Sequence, residues 1–404
     1  FDKYDAIPVD VSGPGDIPSP ISTFEDLALP SVLSQNIKKS GYSKPTPIQK
    51  NAISIALANR DVMACAQTGS GKTAAFIVPT ISRMLLSGRP RYREDPSGGG
   101  SFGSRRKATP VTLVLAPTRE LSLQIELECR KFAWMTGIKS VCVYGGAPAN
   151  EQLRQLRDGA DILVATPGRL IDFLERGRVT LANVTTLILD EADKMLEMGF
   201  EEQIRVIVME SGMPHPGERQ TLMFSATFPR EIQTLASEFL WEYVFIAVGR
   251  VGSTTSNITQ RVVFVPEHGK QDQLVTLLTA NEGLTLVFVE TKRGADSLER
   301  YLADCGFPCT SIHGDREQYE RQQALAAFRS GQAPVLVATD VAQRGLDIPR
   351  VAHVVNYDMP KDIQDYIHRI GRTGRVGHTG IATSFVNENC GGIIESLIKV
   401  MSEA

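Results

Sequence analysis

A glycine-rich stretch, residues 66–73, reads Ala-Gln-Thr-Gly-Ser-Gly-Lys-Thr between a short apolar run and a segment of helical periodicity. Small residues let successive backbone N–H groups face one point, and the start of the following helix adds positive potential. The pattern predicts a phosphate-binding loop in which Lys72 reaches the β- and γ-phosphates of a nucleotide and Thr73 coordinates Mg²⁺. The strict pattern has glycine at the position of Ala66, so a glycine-rich turn stays open on this stretch alone.

Short apolar, β-branched runs recur on both sides of this loop. They do not alternate polar and apolar residues, so both faces of each strand are predicted to be buried, as in a parallel sheet covered by helices. Helical stretches separate the runs, as parallel pairing requires. The runs are residues 61–66, 111–116, 139–144, 161–165, 184–190 and 220–225, followed by 261–265, 284–289, 309–313, 334–338 and 353–357.

The pattern pauses at residues 249–260, where Gly, Ser, Thr and Asn replace apolar residues. We therefore predict an α/β fold with two tandem domains, each a doubly wound parallel sheet flanked by helices, at residues 23–248 and 261–404, with 249–260 as the linker. Residues 1–22 are predicted to be an extended N-terminal extension on the surface. Residues 87–108, rich in Gly, Ser and Arg, are predicted to form a disordered surface loop. Composition favours a solvated insertion, and contact of this arginine-rich loop with RNA stays open as the alternative.

Composition narrows the class of protein. The 404 residues are 42% hydrophobic and 22% charged, as expected for a soluble globular chain of two or three domains. No apolar run approaches the roughly 20 residues that cross a bilayer, so no membrane association is expected. The six cysteines form no Cys-x-x-Cys pair, which argues against a zinc site. A net charge of −3 argues against a protein that coats nucleic acid with a basic surface, although backbone N–H groups and a few arginines still bind phosphates.

An acidic stretch follows the predicted strand at 184–190: residues 190–193 read Asp-Glu-Ala-Asp. In a nucleotide site Asp190 suits the Mg²⁺ shell, and Glu191 would orient or deprotonate an attacking water. An acidic helix N-terminus is the commoner meaning of such a pair, because the helix dipole favours carboxylates there. Beside a phosphate-binding loop, the nucleotide site is the better interpretation.

Four motifs in this order resemble those of the DEAD-box RNA helicases. They are the phosphate-binding loop, Asp-Glu-Ala-Asp at 190–193, Ser-Ala-Thr at 225–227 and His-Arg-Ile-Gly-Arg-Thr-Gly-Arg at 368–375. The resemblance extends from Phe24 to about Phe385. It implies two RecA-like domains, ATP and Mg²⁺ as cofactors, and an RNA-stimulated ATPase that binds single-stranded RNA without sequence preference and unwinds duplexes locally.

The resemblance assigns further residues to ATP. The amide of Gln49 would pair with adenine and Phe24 would pack on the base, although Pro47 and Gln49 equally fit the start of a helix. Arg372 and Arg375 would be arginine fingers, and their spacing would put both on one face of a helix. The remaining ATP-binding residues are Lys44, Thr46, Thr68, Gly69, Ser70, Gly71, Ala74, Gly345 and Asp347, the last on the ribose.

Other residues would connect ATP to RNA. His368 would link ATP to the RNA-bound state, and Ser225, Thr227 and Asp193 would couple hydrolysis to domain closure. A Ser or Thr that caps the helix after a strand is the alternative for the pair at 225 and 227, and the sequence leaves it open.

The predicted RNA track lies at strand ends, where ligands bind in open α/β sheets. Each member alone also fits a turn or a helix cap, but together they predict contacts to the phosphates of one strand. In the first domain they are Pro117, Thr118, Arg119, Gly145, Gly146, Thr166, Pro167, Gly168 and Arg169, and in the second Arg293, Gly314, Gln318, Arg321, Thr339 and Gly345.

Two stretches, residues 193–200 and 288–296, look like the Vasa subgroup of germline helicases. A sister group that acts in translation initiation shares most of these residues. The Vasa resemblance implies a cytoplasmic monomer, in perinuclear germ granules, with germ-granule and small-RNA (piRNA) pathway proteins as partners. An ATP-dependent RNA clamp needs the same residues and stays open, whereas the adenine element disfavours a DNA-translocating ATPase.

Overall fold

The computed structural model describes residues 7–67, 69–88, 107–249, 257–340, 350–374 and 379–403. The chain divides into two compact units, one formed chiefly by residues 5–251 and the other chiefly by residues 252–404. Both are α/β units built on one sheet each, as the uninterrupted apolar runs predict. Within the described residues, no helix combines the length and the apolar character needed to cross a membrane.

The sheet of the first unit has eight strands in the order β1, β8, β2, β7, β6, β3, β5, β4. All neighbours are parallel except β1, which pairs with β8 in the antiparallel direction. The strands are β1 Val9–Ser12, β2 Val62–Cys65, β3 Thr112–Leu115, β4 Ser140–Val143, β5 Ile162–Ala165, β6 Thr186–Leu189, β7 Gln220–Ser225 and β8 Val244–Val248.

Helices cover both faces of this sheet because the strands are apolar on both faces. In β6, Ile188 packs into the core cluster of one face, and Leu187 and Leu189 pack into the cluster of the other. The helices are Ser31–Lys39, Pro47–Leu57, Lys72–Leu86, Arg119–Phe132, Ala149–Arg157, Pro167–Glu175, Ala192–Glu197, Glu201–Arg205 and Arg230–Phe239, with a 3₁₀ turn at Phe24–Asp26 and a π-helix at Val206–Glu210.

The sheet of the second unit has six parallel strands in the order β11, β12, β10, β13, β14, β9. The strands are β9 Ile258–Phe264, β10 Leu284–Phe288, β11 Cys309–Ile312, β12 Val335–Ala338, β13 Val351–Asn356 and β14 Gly380–Val386. Its helices are Lys270–Ala280, Lys292–Asp304, Gln318–Ser330, Ile363–Ile370 and Gly391–Glu403.

Each predicted strand matches an observed one. The edge strands of the two sheets, β1 and β9, differ from the predicted pattern of strands buried on both faces. The N-terminal segment contributes the antiparallel edge strand β1, whose residues are alternately half-buried and exposed. Strand β9 begins at Ile258, inside the range predicted as linker, and all of its residues after Ile258 are half-buried or exposed. Edge strands have one neighbour and less cover, so the rule of two buried faces does not apply to them.

Candidate functional site

The carboxyl edge of the first sheet collects the predicted motifs in two adjacent groups. The phosphate-binding loop follows β2, the Ser-Ala-Thr stretch ends β7, and Asp190 follows β6. The predicted RNA-binding stretches at 117–119, 145–146 and 166–169 follow β3, β4 and β5. Because the sheet order is β2, β7, β6, β3, β5, β4, the nucleotide candidates occupy one half of the edge and the RNA candidates the other half.

The phosphate-binding loop has the backbone that its glycines predict. Gly69 and Gly71 have φ of 76° and 92°, in the left-handed region, and the helix Lys72–Leu86 starts directly afterwards. Lys72 is buried, and its Nζ donates a hydrogen bond to the carbonyl of Ala66 at 2.7 Å. The hydroxyl of Ser70 is buried without a hydrogen-bond partner in the described part of the chain. A buried cation and a hydroxyl donor at a helix N-terminus are suited to phosphate oxygens.

The predicted adenine element is tied to this loop. The side chain of Thr46 donates to the carbonyl of Ser70 at 2.7 Å, and Gln49 Nε2 donates to the carbonyl of Gly71 at 3.0 Å. Gln49 Oε1 accepts from the Thr46 backbone N–H at 2.9 Å. Both ends of the Gln49 amide therefore already hold the protein together, an additional role that the sequence reasoning missed.

Two further ATP-binding candidates, Phe24 and Lys44, lie at different depths. Phe24 is 6% exposed and sits in the core, with its ring edge-on to that of Tyr42 at 6.4 Å. Lys44 is exposed. The Phe24 ring therefore offers little of its surface to a base, whereas the Lys44 ammonium is open to solvent.

The Asp-Glu-Ala-Asp stretch is buried and locally strained. Glu191 has φ 51° and ψ 51°, a left-handed conformation that costs a non-glycine residue about 1–3 kcal/mol and is concentrated at functional sites. Burial raises the pKa of Asp190 to about 7; Lys72 opposes this rise and Glu191 adds to it. An incoming cation would stabilise the ionised form of this desolvated carboxylate.

Asp193 connects this stretch to the end of β7. Its Oδ2 accepts hydrogen bonds from the backbone N–H of Ala226 at 3.3 Å and from the hydroxyl of Thr227 at 3.0 Å. The Ser225 hydroxyl is fully buried and has no hydrogen-bond partner within the described residues. The Asp193–Thr227 contact joins the strands β6 and β7 at the edge that carries the phosphate-binding loop.

The donor set fits Mg²⁺. Asp190 supplies a carboxylate and the half-buried Thr73 supplies a hydroxyl, both hard oxygen ligands. In the described ranges no cluster of three or more His, Cys, Asp or Glu side chains could hold a metal by itself. Mg²⁺ at this place would therefore need oxygens from water and from a bound nucleotide, which is its usual mode of binding.

In the RNA half of the edge, an arginine lies over a glycine. A Cβ atom built on Gly146 would fall 2.1 Å from the guanidinium of Arg119, so only glycine allows this contact. Thr118 caps the helix Arg119–Phe132 by accepting from the Leu121 N–H at 3.2 Å. A Cβ atom built on Gly145 would meet no atom of the described residues within 4 Å, and Gly145 itself is half-buried.

The stretch that follows β5 begins the helix Pro167–Glu175. Arg169 donates to the carbonyl of Ala147 at 3.1 Å and lies 5.5 Å from the ring of Phe173. Thr166 and Pro167 are buried, and Gly168 is exposed at the helix start. The contact between Arg169 and Ala147 joins the loops that follow β4 and β5.

In the second unit too, predicted RNA-binding residues follow the carboxyl ends of strands. Arg293, Gly314 and Thr339 follow β10, β11 and β12, which are adjacent strands. Arg321 is 5% exposed and donates to Gln318 Oε1 at 3.4 Å at the start of the helix Gln318–Ser330. Arg293 and Gly314 are exposed.

The stretch 368–375 corrects one expectation. The helix ends at Ile370, so Arg372 lies beyond it and not on a helical face as its spacing predicts, while Arg375 falls outside the described residues. Gly371 and Gly374 explain the early end, because glycine destabilises a continued helix. Arg372 is 2% exposed, and its Nε donates to the carbonyl of His368 at 3.3 Å.

Comparison with known proteins decides the family. A model described as DEAD/DEAH box helicase matches residues 46–235, and one described as helicase conserved C-terminal domain matches residues 269–377. The chain is 30% identical to Dbp5 of S. cerevisiae in a structure bound to RNA and ADP BeF3, with 95% of this chain and 94% of that chain covered and a TM-score of 0.78. The chain belongs to the DEAD-box RNA helicase family.

Two other solved structures extend the comparison of this DEAD-box helicase. The RNA helicase Prp28 from Chaetomium thermophilum, bound to ADP, is 37% identical over 98% of this chain and 91% of that chain, with a TM-score of 0.51. Mss116p bound to ssRNA and AMP-PNP is 27% identical over 96% and 79%, with a TM-score of 0.81. The two parallel-sheet units are the RecA-like domains of an ATP-hydrolysing RNA helicase.

Some predicted residues of the helicase fall outside the described part of the chain. They are Thr68, Gly345, Asp347 and Arg375, together with most of the loop predicted at 87–108.

One structural residue of the motif at 368–375 was missed in the sequence reasoning. Arg369 is 2% exposed, donates to Asp340 Oδ1 at 2.6 Å and lies 5.0 Å from the ring of Phe288. Nothing in the sequence pairs it with Asp340, which is 29 positions away.

Proposed function

We propose that this helicase binds ATP and one strand of RNA along the same edges of its sheets, and that each ligand favours binding of the other. The observation that carries the proposal is the division of the first sheet's edge, with nucleotide candidates after β2, β7 and β6 and RNA candidates after β3, β5 and β4. The Asp193–Thr227 contact lies on the nucleotide side of this division. Because the two halves of this edge adjoin, a rearrangement of the residues around the ATP phosphates can pass to the neighbouring RNA-binding loops through contacts such as Asp193–Thr227.

The residues of the nucleotide half have distinct roles in the proposal. Lys72 binds the phosphates, and Glu191 orients or deprotonates the attacking water. Arg372 and Arg375 neutralise charge that develops on the transferred phosphoryl group, and His368 links this event to RNA. Mg²⁺, held by Asp190 and Thr73, supplies charge neutralisation on the phosphate oxygens when bound.

RNA is held through its backbone in the proposal. The candidate donors are glycine N–H groups, threonine hydroxyls, helix starts and a few arginines, all of which suit phosphates and carry no base information. Contacts to the 2′-OH would distinguish RNA from DNA. The helix Pro167–Glu175 bends the bound strand, so that a paired complement is lost locally.

The direct test is ATP hydrolysis with and without single-stranded RNA, for the wild type and for Glu191→Gln. RNA should stimulate the wild type, and the variant should lose hydrolysis while still holding RNA in the presence of ATP. If RNA did not change the rate of hydrolysis, the protein would be a RecA-like ATPase without the proposed coupling to RNA. Single-stranded DNA of the same sequence is the matched ligand, and strong stimulation by it would indicate a DNA-tracking enzyme.

An unwinding assay separates the helicase from a clamp that uses the same residues. A helicase displaces the complement of a short duplex in each round of ATP turnover. A clamp holds RNA for many times longer than one turnover and releases little product. The measured ratio of strands displaced to ATP hydrolysed decides between them.

We propose further that the chain belongs to the Vasa subgroup, on the stretches Asp193–Phe200 and Phe288–Asp296. This predicts a cytoplasmic monomer in perinuclear germ granules, with small-RNA pathway proteins as partners. Purification of the protein from germ cells should recover piRNA-sized RNA and germ-granule proteins. Recovery of translation-initiation factors from all tissues would instead favour the sister subgroup.

A further inference from the structure

A cavity of about 490 Å³ lies at the amino ends of strands in the first unit's sheet. Its lining includes Asp61, directly before β2, Thr186, the first residue of β6, and Gln220, the first residue of β7. The candidates for ATP and RNA binding lie at the carboxyl ends of the strands, about 13 Å away along a four-residue strand. None of the lining residues belongs to the helicase motifs, so the cavity is separate from the site described above.

The guanidinium of Arg83 lines this cavity and contacts uncharged acceptors. It donates to Asn59 Oδ1 at 2.6 Å, to the Thr186 hydroxyl at 2.8 Å and to Gln220 Oε1. Burial lowers the pKa of Arg83, and the nearby charge of Asp61 partly offsets this effect. A partly buried cation that has no hydrogen-bonded carboxylate among the described residues is costly, and an incoming anion would lower that cost.

Arg219 also lines the cavity, is more deeply buried than Arg83, and likewise donates to uncharged acceptors. It is 4% exposed, and it donates to the carbonyls of Pro214 and Phe239, the latter at 3.4 Å. Its buried Nε–H has no acceptor among the residues that the structure describes. Burial lowers its pKa to about 10. Arg219 therefore lines the cavity with a charged group that has one unused hydrogen-bond donor among the described residues.

The carboxylate of Asp61 is buried and lies near three guanidinium groups of the lining, those of Arg60, Arg83 and Arg219. Asp61 accepts hydrogen bonds from the N–H groups of Thr221 at 2.9 Å and Trp241 at 2.8 Å, and burial raises its pKa. Two other carboxylates, those of Glu218 and Glu242, are on exposed residues of the lining. The cavity thus has a positive interior and a negative rim.

Trp241 adds an apolar surface beside the cavity. It is 60% exposed, and its ring lies 3.5 Å from a Cβ position built on Gly217. Tryptophan and arginine are among the residue types that are enriched at the energetic centre of protein–protein interfaces. A volume of about 490 Å³ holds much more than a single inorganic anion.

We propose that this cavity docks a peptide segment of a partner protein. The segment inserts one Asp or Glu carboxylate to reach Arg83 and Arg219, and lays an apolar side chain on Trp241. Basic residues on either side of the carboxylate meet Glu218 and Glu242. The charge pattern disfavours RNA as the occupant, because the rim carboxylates repel the successive phosphates of a polyanion.

Tryptophan fluorescence provides a specific readout, since Trp134 and Trp241 are the chain's two tryptophans. In the Trp134→Phe variant all tryptophan emission comes from position 241. The probes are capped hexapeptides with one central Glu flanked by Lys and Phe in varied order, and the same peptides with Gln in place of Glu. The Glu peptides should change the emission saturably and bind about tenfold or more tightly than their Gln counterparts.

Matched variants place the binding at the cavity. By calorimetry, Trp241→Ala should weaken binding about tenfold or more, and Trp134→Ala, at a similarly exposed tryptophan, should not. Arg83→Lys keeps the charge and loses the planar fork, and it should weaken the Glu peptides alone. RNA-stimulated hydrolysis should be unchanged in Trp241→Ala, since the cavity is remote from the ATP and RNA residues.

Three results would overturn the proposal. The first is that no peptide of the set changes the emission of Trp241. The second is equal binding of Glu and Gln peptides, or equal loss in the two tryptophan variants. The third is a saturable change with oligouridylate instead of peptide, which would make the cavity a second RNA-binding site.

Discussion

Gly71 stands where the phosphate-binding loop and the adenine element meet. A Cβ there would lie 2.5 Å from Gln49 Nε2 and 3.0 Å from Thr46 Oγ1. Gly71→Ala should therefore break the tie between the two elements and raise the KM for ATP about tenfold or more, since a clash of this size displaces groups that position the phosphates.

Gly88, at the other end of the same helix, is the matched control for this substitution. Its φ of 72° is also left-handed, but a Cβ there meets no atom of the described residues within 4 Å. Gly88→Ala should cost about 1 kcal/mol of stability and leave the KM unchanged. Equal KM values for the two variants would show that backbone conformation alone, and not the tie to Gln49, matters at Gly71.

Thr227 is the second residue whose role rests on one contact. Thr227→Val keeps its shape and removes the hydroxyl that donates to Asp193 at 3.0 Å. A hydrogen bond to a charged group contributes about 1.5–3 kcal/mol, so unwinding per ATP hydrolysed should fall about tenfold or more.

Thr234→Val serves as the control for Thr227, because the Thr234 hydroxyl is exposed and bonds the carbonyl of Arg230 in its own helix. If Thr227→Val lowers hydrolysis and unwinding in equal proportion, the contact supports catalysis and not coupling.

A buried histidine in strand β13 of the second unit should make the stability of the protein depend on pH. His353 is 2% exposed, its Nε2 lies 2.8 Å from the Thr383 hydroxyl, and burial lowers its pKa to about 4, with Arg261 contributing. The unfolded chain binds a proton on this residue below its ordinary pKa of about 6.5, and the folded protein does not until about pH 4. Stability is therefore fully present above pH 6.5 and is lost as the pH falls.

The expected loss from His353 is about 2 kcal/mol between pH 8 and pH 5. Denaturant unfolding of the wild type and of His353→Gln at these two pH values measures it. The variant should lose about 2 kcal/mol less than the wild type over this interval. Identical pH dependence of the two proteins would mean that His353 does not remain neutral in the folded strand.

The helix Ile363–Ile370 shows how far spacing predicts an element. The interval between Arg372 and Arg375 fits one helical face, but the helix ends before either residue because Gly371 and Gly374 follow it. Element boundaries depend on small differences in propensity, which spacing alone does not contain. The strand positions were predicted well because buried apolar runs are imposed by the whole sheet.

At the scale of the whole molecule, the sequence predicted the two parallel-sheet units and the motif at each strand end. It contained no sign of the cavity formed by Asp61, Arg83, Arg219 and Trp241, since these residues are far apart in the chain and only the sheet order brings them together. It also did not show that the Gln49 amide holds the phosphate-binding loop. Both features depend on tertiary contacts between residues that share no motif.

We propose above that ATP and RNA each increase the affinity of the helicase for the other. The Glu191→Gln variant allows the equilibrium to be measured without turnover, using a fluorescent ATP analogue with and without oligouridylate. RNA should lower the Kd for the nucleotide about fivefold or more, and the nucleotide should lower the Kd for RNA by the same factor, as linkage requires. Nucleotide affinity that is equal with and without RNA would contradict this proposal.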